Sequence, residues 1–210
     1  MNYEILLKKI RLSGKKYITD KELKENIKEL NLEYNKVINN LITNRYLIRI
    51  FRGIFYITTL EEKKHKKVDV SFNEIITNAL KIKKVDNWYF GLDSAIKLNG
   101  ILFETCFVDY IINDKIFRAK PITIMNRKIK FIKIKKDLLT FGIIKNKGLR
   151  YSNLEKTVLD IIYILKYNNA TNKEILNKII DLIDKCDTKK LKKYSVYYPK
   201  TTINVIEEYI

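Results

Sequence analysis

The chain has 210 residues, of which 46% are hydrophobic and 31% charged, and it carries a formal charge of +18. Such a hydrophobic fraction excludes a disordered chain, and the length supports one large domain or two small ones with a real core. No apolar run approaches the roughly 18 residues that span a bilayer, and MNYEILLKKIRLS lacks the apolar stretch and cleavage site of a secretory signal, so a soluble cytoplasmic protein is expected.

The first segment, NYEILLKKIRL, spaces Tyr3, Leu6, Leu7 and Ile10 at helical intervals. After Ser13-Gly14, Thr19-Asp20-Lys21-Glu22 reads as a capping box that opens a second helix with Leu23, Ile27 and Leu30 on one stripe. Asn31 is the expected cap of a third helix running to about Asn44. Val37, Ile38, Leu41 and Ile42 form its apolar side, and Lys36, Asn39, Asn40 and Thr43 lie opposite. RYLIRIFRGIFYIT follows. Its two β-rich runs are separated by Arg52-Gly53, which predicts a hairpin. Helix, helix, helix, hairpin is the order of a winged helix-turn-helix, expected over residues 1–60.

EEKKHKKVDVS, residues 61–71, reads as a linker. The region from 72 to 210 begins with a helix, FNEIITNALKI. WYFGLDSAIKLNGI follows, as a short strand and a helix ending at Gly100. FVDYII, KIFRAKPITIM, RKIKFIKIKK and LLTFGII are β-like runs, and the remainder is helical. Ser152-Asn153-Leu154-Glu155 and Thr171-Asn172-Lys173-Glu174 read as further capping boxes. TKKLKKYS and, after Pro199, TTINVIEEYI read as the last helices. The expected class is α+β, an N-terminal winged helix followed by a mixed domain with an antiparallel sheet and C-terminal helices.

The charge points to a polyanionic partner, most often nucleic acid. The chain is also rich in Lys, Ile and Asn and has no Gln, so a compositional bias that puts lysine on every surface competes with that reading. Distribution favours a ligand. Residues 1–68 carry 16 basic and 8 acidic residues and residues 111–150 carry 12 and 2, whereas 69–110 carry 4 and 6. Arg45, Arg49 and Arg52, three of only seven arginines, cluster at the hairpin. Arginine's planar fork suits phosphate and a narrow minor groove. Asn39 and Asn40 offer the donor–acceptor pair that reads adenine in the major groove. Double-stranded DNA is therefore the expected partner, contacted by Lys36, Asn39, Asn40, Thr43, Arg45, Arg49 and Arg52. In IKFIKIKK, lysine alternates with apolar residues, so Lys128, Lys130, Lys133 and Lys135 form a second candidate polyanion-binding face, with a solvated strand face as the plain alternative. Cys106 and Cys186 form no C-x-x-C pair, and the single His65 sits in the charged 61–71 stretch. Two buried thiols in a reducing compartment, no metal and no cofactor are expected.

RGIFYI, WYFGLDSAIKLNGI and YSNLEKTVLD resemble, in order and spacing, segments of the AbiEi-type antitoxins of type IV toxin–antitoxin (abortive-infection) systems. The resemblance implies a repressor of its own operon whose C-terminal domain counteracts a nucleotidyltransferase-like toxin without a stable complex. The plain reading of the third segment is structural: Glu155 caps with Ser152, while Thr157 and Asp160 bond within the domain. A winged-helix regulator unrelated to toxins is one alternative. A metal-dependent nuclease using Glu104 and Asp109 is another. The chain has no Walker loop, G-x-S-x-G or H-E-x-x-H, and no acid-x-Lys strand pattern, which argues against an enzyme.

Overall fold

The structure, a computed structural model, describes residues 2–101, 107–146 and 148–209. It divides into two compact units, Met1–Lys84 and Val85–Ile210.

In the first unit, α1 (Asn2–Leu12) leads to a short strand, β1 (Tyr17–Thr19). The expected capping box then opens α2 (Asp20–Glu29). Thr19 Oγ1 accepts from the Glu22 backbone N–H at 3.3 Å, and Glu22 Oε2 accepts from the Thr19 N–H at 2.8 Å. α3 (Tyr34–Thr43) turns Val37, Ile38 and Leu41 inward. Its N-cap is Glu33 rather than Asn31. Asn31 has φ +52 and carries the chain away from α2 in the left-handed region that asparagine tolerates. β2 (Leu47–Phe51) and β3 (Ile54–Ile57) form the hairpin. At its turn Gly53 has φ +77, and a Cβ there would stand 3.3 Å from Asp20 Cβ, so the position requires glycine. The sheet has three strands, not the two of the hairpin alone. β1 pairs antiparallel with β3, giving the order β1-β3-β2. Three residues are too few for β1 to show a period-two signal. Leu6, Leu23, Leu41 and Phe55 anchor one core shared by the helices and the sheet.

The stretch expected to be a linker is ordered against this unit. α4 (Leu60–His65) starts at a capping box between Thr59 and Glu62. The Glu62 carboxylate is buried and accepts from Tyr56 OH at 2.7 Å, from Asp69 N at 2.9 Å and from Thr59 N at 2.8 Å. Burial pushes its carboxyl up. These hydrogen bonds to the charged form outweigh burial and hold it below the usual carboxylate range. α5 (Phe72–Ile82) also belongs here. Asn78 Nδ2 donates to Tyr17 OH at 3.4 Å, and Lys83 Nζ donates to the Arg52 carbonyl at 3.3 Å. The division therefore falls after Lys84, beyond residues 61–71.

The second unit contains a six-stranded sheet in the order β6-β7-β5-β4-β9-β8. Its strands are β4 (Trp88–Phe90), β5 (Val108–Asn113), β6 (Ile122–Ile124), β7 (Arg127–Lys133), β8 (Ile143–Asn146) and β9 (Leu149–Ser152). α6 (Leu92–Leu98) follows β4, and a 3-10 turn at Lys136–Leu139 follows β7. The sheet is mixed, which corrects the expectation of an antiparallel one: β5–β7 and β4–β9 are parallel, and the other neighbours are antiparallel. Alternation in the sequence marks strands but not partners. After β5 the chain passes beyond the place of β7 to lay down β6. It then turns back through Met125 and Asn126, both at positive φ, so β7 returns beside β5 and runs in the same direction.

Four helices complete the unit: α7 (Leu154–Tyr167), α8 (Asn172–Ile183), α9 (Thr188–Ser195) and α10 (Lys200–Glu207). The capping box expected at Ser152 does not form. Ser152 still belongs to β9, so Asn153 caps α7, its Oδ1 accepting from Lys156 N at 3.0 Å. Glu155 accepts from the Asp187 N–H at 3.2 Å instead of serving Ser152. Thr171 and Glu174 do form the expected box on α8. Tyr89, Ile112, Val158, Ile162 and Ile175 lie in the core between sheet and helices.

Candidate nucleic-acid interface

Burying Val37, Ile38 and Leu41 fixes the rotation of α3, which leaves Lys36, Asn39, Asn40 and Thr43 exposed as one outward face. The four are not equally free. Lys36 Nζ pairs with Glu33 Oε2 at 2.6 Å, and this hydrogen bond pushes the lysine pKa up. Asn44 Nδ2 donates to Asn40 Oδ1 at 2.8 Å and to the Asn40 carbonyl at 3.1 Å, so the acceptor half of Asn40 is already engaged. Bidentate pairing with an adenine edge uses both halves of an amide, and Asn40 has one of them engaged. Nothing in the sequence separated the two.

Arg45, Arg49 and Arg52 are all exposed. Arg45 has φ +55 and carries the chain from α3 into β2, while its carbonyl accepts from Thr58 Oγ1 at 2.5 Å. Arg49 stands opposite Phe55 across the hairpin, its guanidinium carbon 5.6 Å from that ring's centroid. The contact steadies the guanidinium on the sheet face. Arg52 sits at the turn beside Gly53.

The second candidate group divides. Lys128 and Lys130 share one strand parity on β7, and Lys130 Nζ donates to the Ala119 carbonyl. Lys133 has the parity of the buried Ile129 and Phe131 and is exposed because the strand ends there. Lys135 lies beyond the strand, as N-cap of the 3-10 turn. The four lysines do not form one strand face. Period two cannot carry a face across an odd step.

Asp109 is held by Arg127, whose Nη2 lies 2.7 Å from Asp109 Oδ2 and whose Nε donates to the same oxygen at 3.1 Å. Glu104 and Cys106 lie outside the described residues. Cys186 is half-buried, and burial, with the Glu155 charge adding, pushes its thiol up to about 12. Among the described residues no three His, Cys, Asp or Glu side chains gather as a metal set.

YSNLEKTVLD folds inward. Lys156 and Asp160 are 0% and 1% exposed, with Nζ 3.2 Å from Asp160 Oδ1. Tyr198 OH donates to Asp160 Oδ1 and Tyr89 OH to Asp160 Oδ2, each at 2.7 Å, and Lys156 Nζ donates to Tyr198 OH at 3.0 Å. Burial drives the Lys156 pKa down against the opposing pull of Asp160. Gly142, at φ +61, lies so close that a Cβ there would meet Lys156 Cβ at 2.8 Å. Thr157 Oγ1 is 2.7 Å from Ser152 Oγ. Thr157 and Asp160 thus bond within the unit, Lys156 joins them, and Glu155 does not cap with Ser152.

The fold is α+β, with one sheet in each unit. No helix among the described residues is long and apolar enough to cross a membrane. No family model matches the chain, and no curated protein matches it. Among solved structures it is similar to the crystal structure of the RV2827C protein from Mycobacterium tuberculosis, with a TM-score of 0.55 at 12% identity. The match covers 93% of this chain and 71% of that one. At this identity the likeness concerns fold alone.

Proposed function

We propose that the protein is a DNA-binding transcriptional regulator whose first unit is a winged helix-turn-helix, with α3 as recognition helix and the β2–β3 hairpin as wing. The supporting observation is the outward face of Asn39, Asn40 and Thr43 on a helix whose other side is buried, followed by exposed Arg45 and then a hairpin with exposed Arg49 and Arg52. The resemblance to AbiEi-type antitoxins supplies the rest of the reading: repression of its own operon, and a second unit that counteracts a nucleotidyltransferase-like toxin. The inward-facing YSNLEKTVLD segment leaves that second role to other residues of the unit.

The test is anisotropy titration with a labelled duplex from upstream of the gene and a scrambled duplex. Log affinity should fall with log salt by about 0.9 per phosphate neutralised. Arg49→Ala and Arg52→Ala should weaken both duplexes alike. Asn39→Ala should narrow the difference between the duplexes by about 1–3 kcal/mol, and Asn40→Ala by less. Equal affinity of the unsubstituted protein for both duplexes refutes the regulator. Expressing the neighbouring toxin from an unrelated promoter with the Arg49→Ala/Arg52→Ala protein tests the second role. Retained rescue would mean that protection does not depend on DNA binding; lost rescue would mean that the hairpin arginines themselves take part in it, and the division of roles between the units would be abandoned.

A further inference from the structure

The segment from Asp187 to Lys200 carries five lysines and a single aspartate in fourteen residues. Its local charge is hidden in the near-neutral C-terminal third. Leu191 and Ser195 face inward on α9, and Lys189, Lys190, Lys192 and Lys193 are exposed. The single aspartate caps the helix, Asp187 Oδ1 accepting from Lys189 N at 2.9 Å and from Lys190 N at 3.2 Å, while its Oδ2 lies 3.9 Å from Lys190 Nζ in a long, exposed pair that a phosphate can displace. Lys190, Lys193, Tyr194 and Tyr197 stand at positions i, i+3, i+4 and i+7, so they line one flank of α9 and the turn that continues it. That turn is held by Tyr197 N donating to the Tyr194 carbonyl at 3.2 Å and Tyr198 N to the Ser195 carbonyl at 2.9 Å.

The aromatic rings on this flank are ordered before any ligand arrives. Tyr197 stacks on Phe141 with centroids 4.6 Å apart and planes at 25°, and Tyr194 lies 5.1 Å from the same ring. Asn153 Nδ2 donates to Tyr194 OH at 3.4 Å. Phe141 is backed by the buried Lys156 ammonium, 4.6 Å from its centroid. Tyr197 nevertheless remains 55% exposed, and the neighbouring Val196 69%. A rigid ring stacked against the protein, with most of its surface in water and lysines before and after it, matches a base-stacking platform with phosphate-binding groups beside it.

We infer that this flank of α9 binds single-stranded nucleic acid, with Tyr197 stacking on an unpaired base and Lys190 and Lys193 taking phosphates. Duplex bases have both faces covered, so only an unpaired base offers the ring a partner. A protein partner fits less well, because interface cores are depleted in lysine. The site belongs to the second unit and the α3–hairpin surface to the first.

The experiment uses the full chain and labelled oligo-dT and oligo-rU of about 12 nucleotides, within the span of known single-strand sites. Tyr197→Ala should weaken both by about 5- to 150-fold, the equivalent of one lost base–ring stack. Tyr197→Phe should retain binding. Lys190→Gln/Lys193→Gln should flatten the salt dependence by about 0.7 for each phosphate contact removed. The ratio of rU to dT affinity assigns RNA or DNA as the natural strand. Duplex binding should be unaffected by Tyr197→Ala, so this inference and the regulator reading fail separately. Single-strand binding unchanged by Tyr197→Ala, an equal loss on duplex, or a Phe variant as weak as Ala overturns it.

Discussion

Replacing Asp160 by Asn keeps the shape of the buried cluster and removes its negative charge. Lys156 is then left in the core with no counter-ion. At the observed 3.2 Å, two unit charges in a medium of effective dielectric near 20 attract by about 5 kcal/mol. Breaking such a pair on one side typically costs about 3–5 kcal/mol, so Asp160→Asn should lose that much stability at neutral pH. The loss should depend on pH. Without Asp160, burial drives the Lys156 pKa further down, and the unfolded chain holds a proton that the folded chain lacks. Stability of the variant therefore rises with pH up to the unfolded lysine value near 10.4. The unsubstituted protein shares that sign over a narrower window, because Asp160 opposes the shift. The deficit should narrow between about pH 7 and pH 9. Trp88 is the only tryptophan, is buried in β4, and belongs to the same unit, so its emission during denaturant unfolding reports this unit. Lys156→Met/Asp160→Asn should recover much of the loss, because an apolar replacement needs no counter-charge. A deficit under about 1 kcal/mol, or one that is flat with pH, refutes the account of the cluster.

Gly142→Ala should cost about 1–3 kcal/mol, since it adds a Cβ 2.8 Å from Lys156 Cβ at a left-handed φ; Trp88 emission in denaturant measures it. Glu62→Gln should destabilise the first unit by about 1–3 kcal/mol, because an amide nitrogen cannot accept the bonds that one carboxylate oxygen takes. Glu62 has a depressed folded pKa, so its contribution is present above the unfolded value and lost as pH falls through the folded one. The gap between Glu62→Gln and the unsubstituted protein should close below about pH 4, as read by hydrogen exchange of residues 46–69. Asn44→Ala should free Asn40 Oδ1 and increase the effect of a subsequent Asn40→Ala on duplex discrimination, measured by the same anisotropy titration.

Much of the fold was legible because its signals are local. The Thr19–Glu22 and Thr171–Glu174 boxes, the α3 stripe and the Arg52-Gly53 hairpin each occupy a few adjacent residues, and the structure forms them where the sequence places them. What stayed hidden depends on distant partners. The EEKKHKK run looks solvated because the burial of Glu62 is set by Tyr56 and Asp69. The parallel pairs β5–β7 and β4–β9 leave no mark on either strand's own sequence. At the candidate site, the outward face of α3 followed from periodicity, whereas the engagement of Asn40 by Asn44 did not. The Tyr197 platform was invisible because Phe141, its stacking partner, lies over fifty residues earlier in the chain.

The pairing of Phe90 with Tyr151 orders events during synthesis. β4 lies at the centre of its sheet, and one of its two neighbours, β9, is the last of the described strands to be made. Until residues 149–152 leave the ribosome, β4 has an open edge beside a half-built core, the kind of edge that recruits wrong partners. The first unit has no such wait, since it closes within its own 84 residues. A nascent chain stalled anywhere between the two points would carry a finished first unit joined to an unfinished second. Loss of the last third of the gene would thus leave a folded N-terminal unit tied to an aggregation-prone remainder.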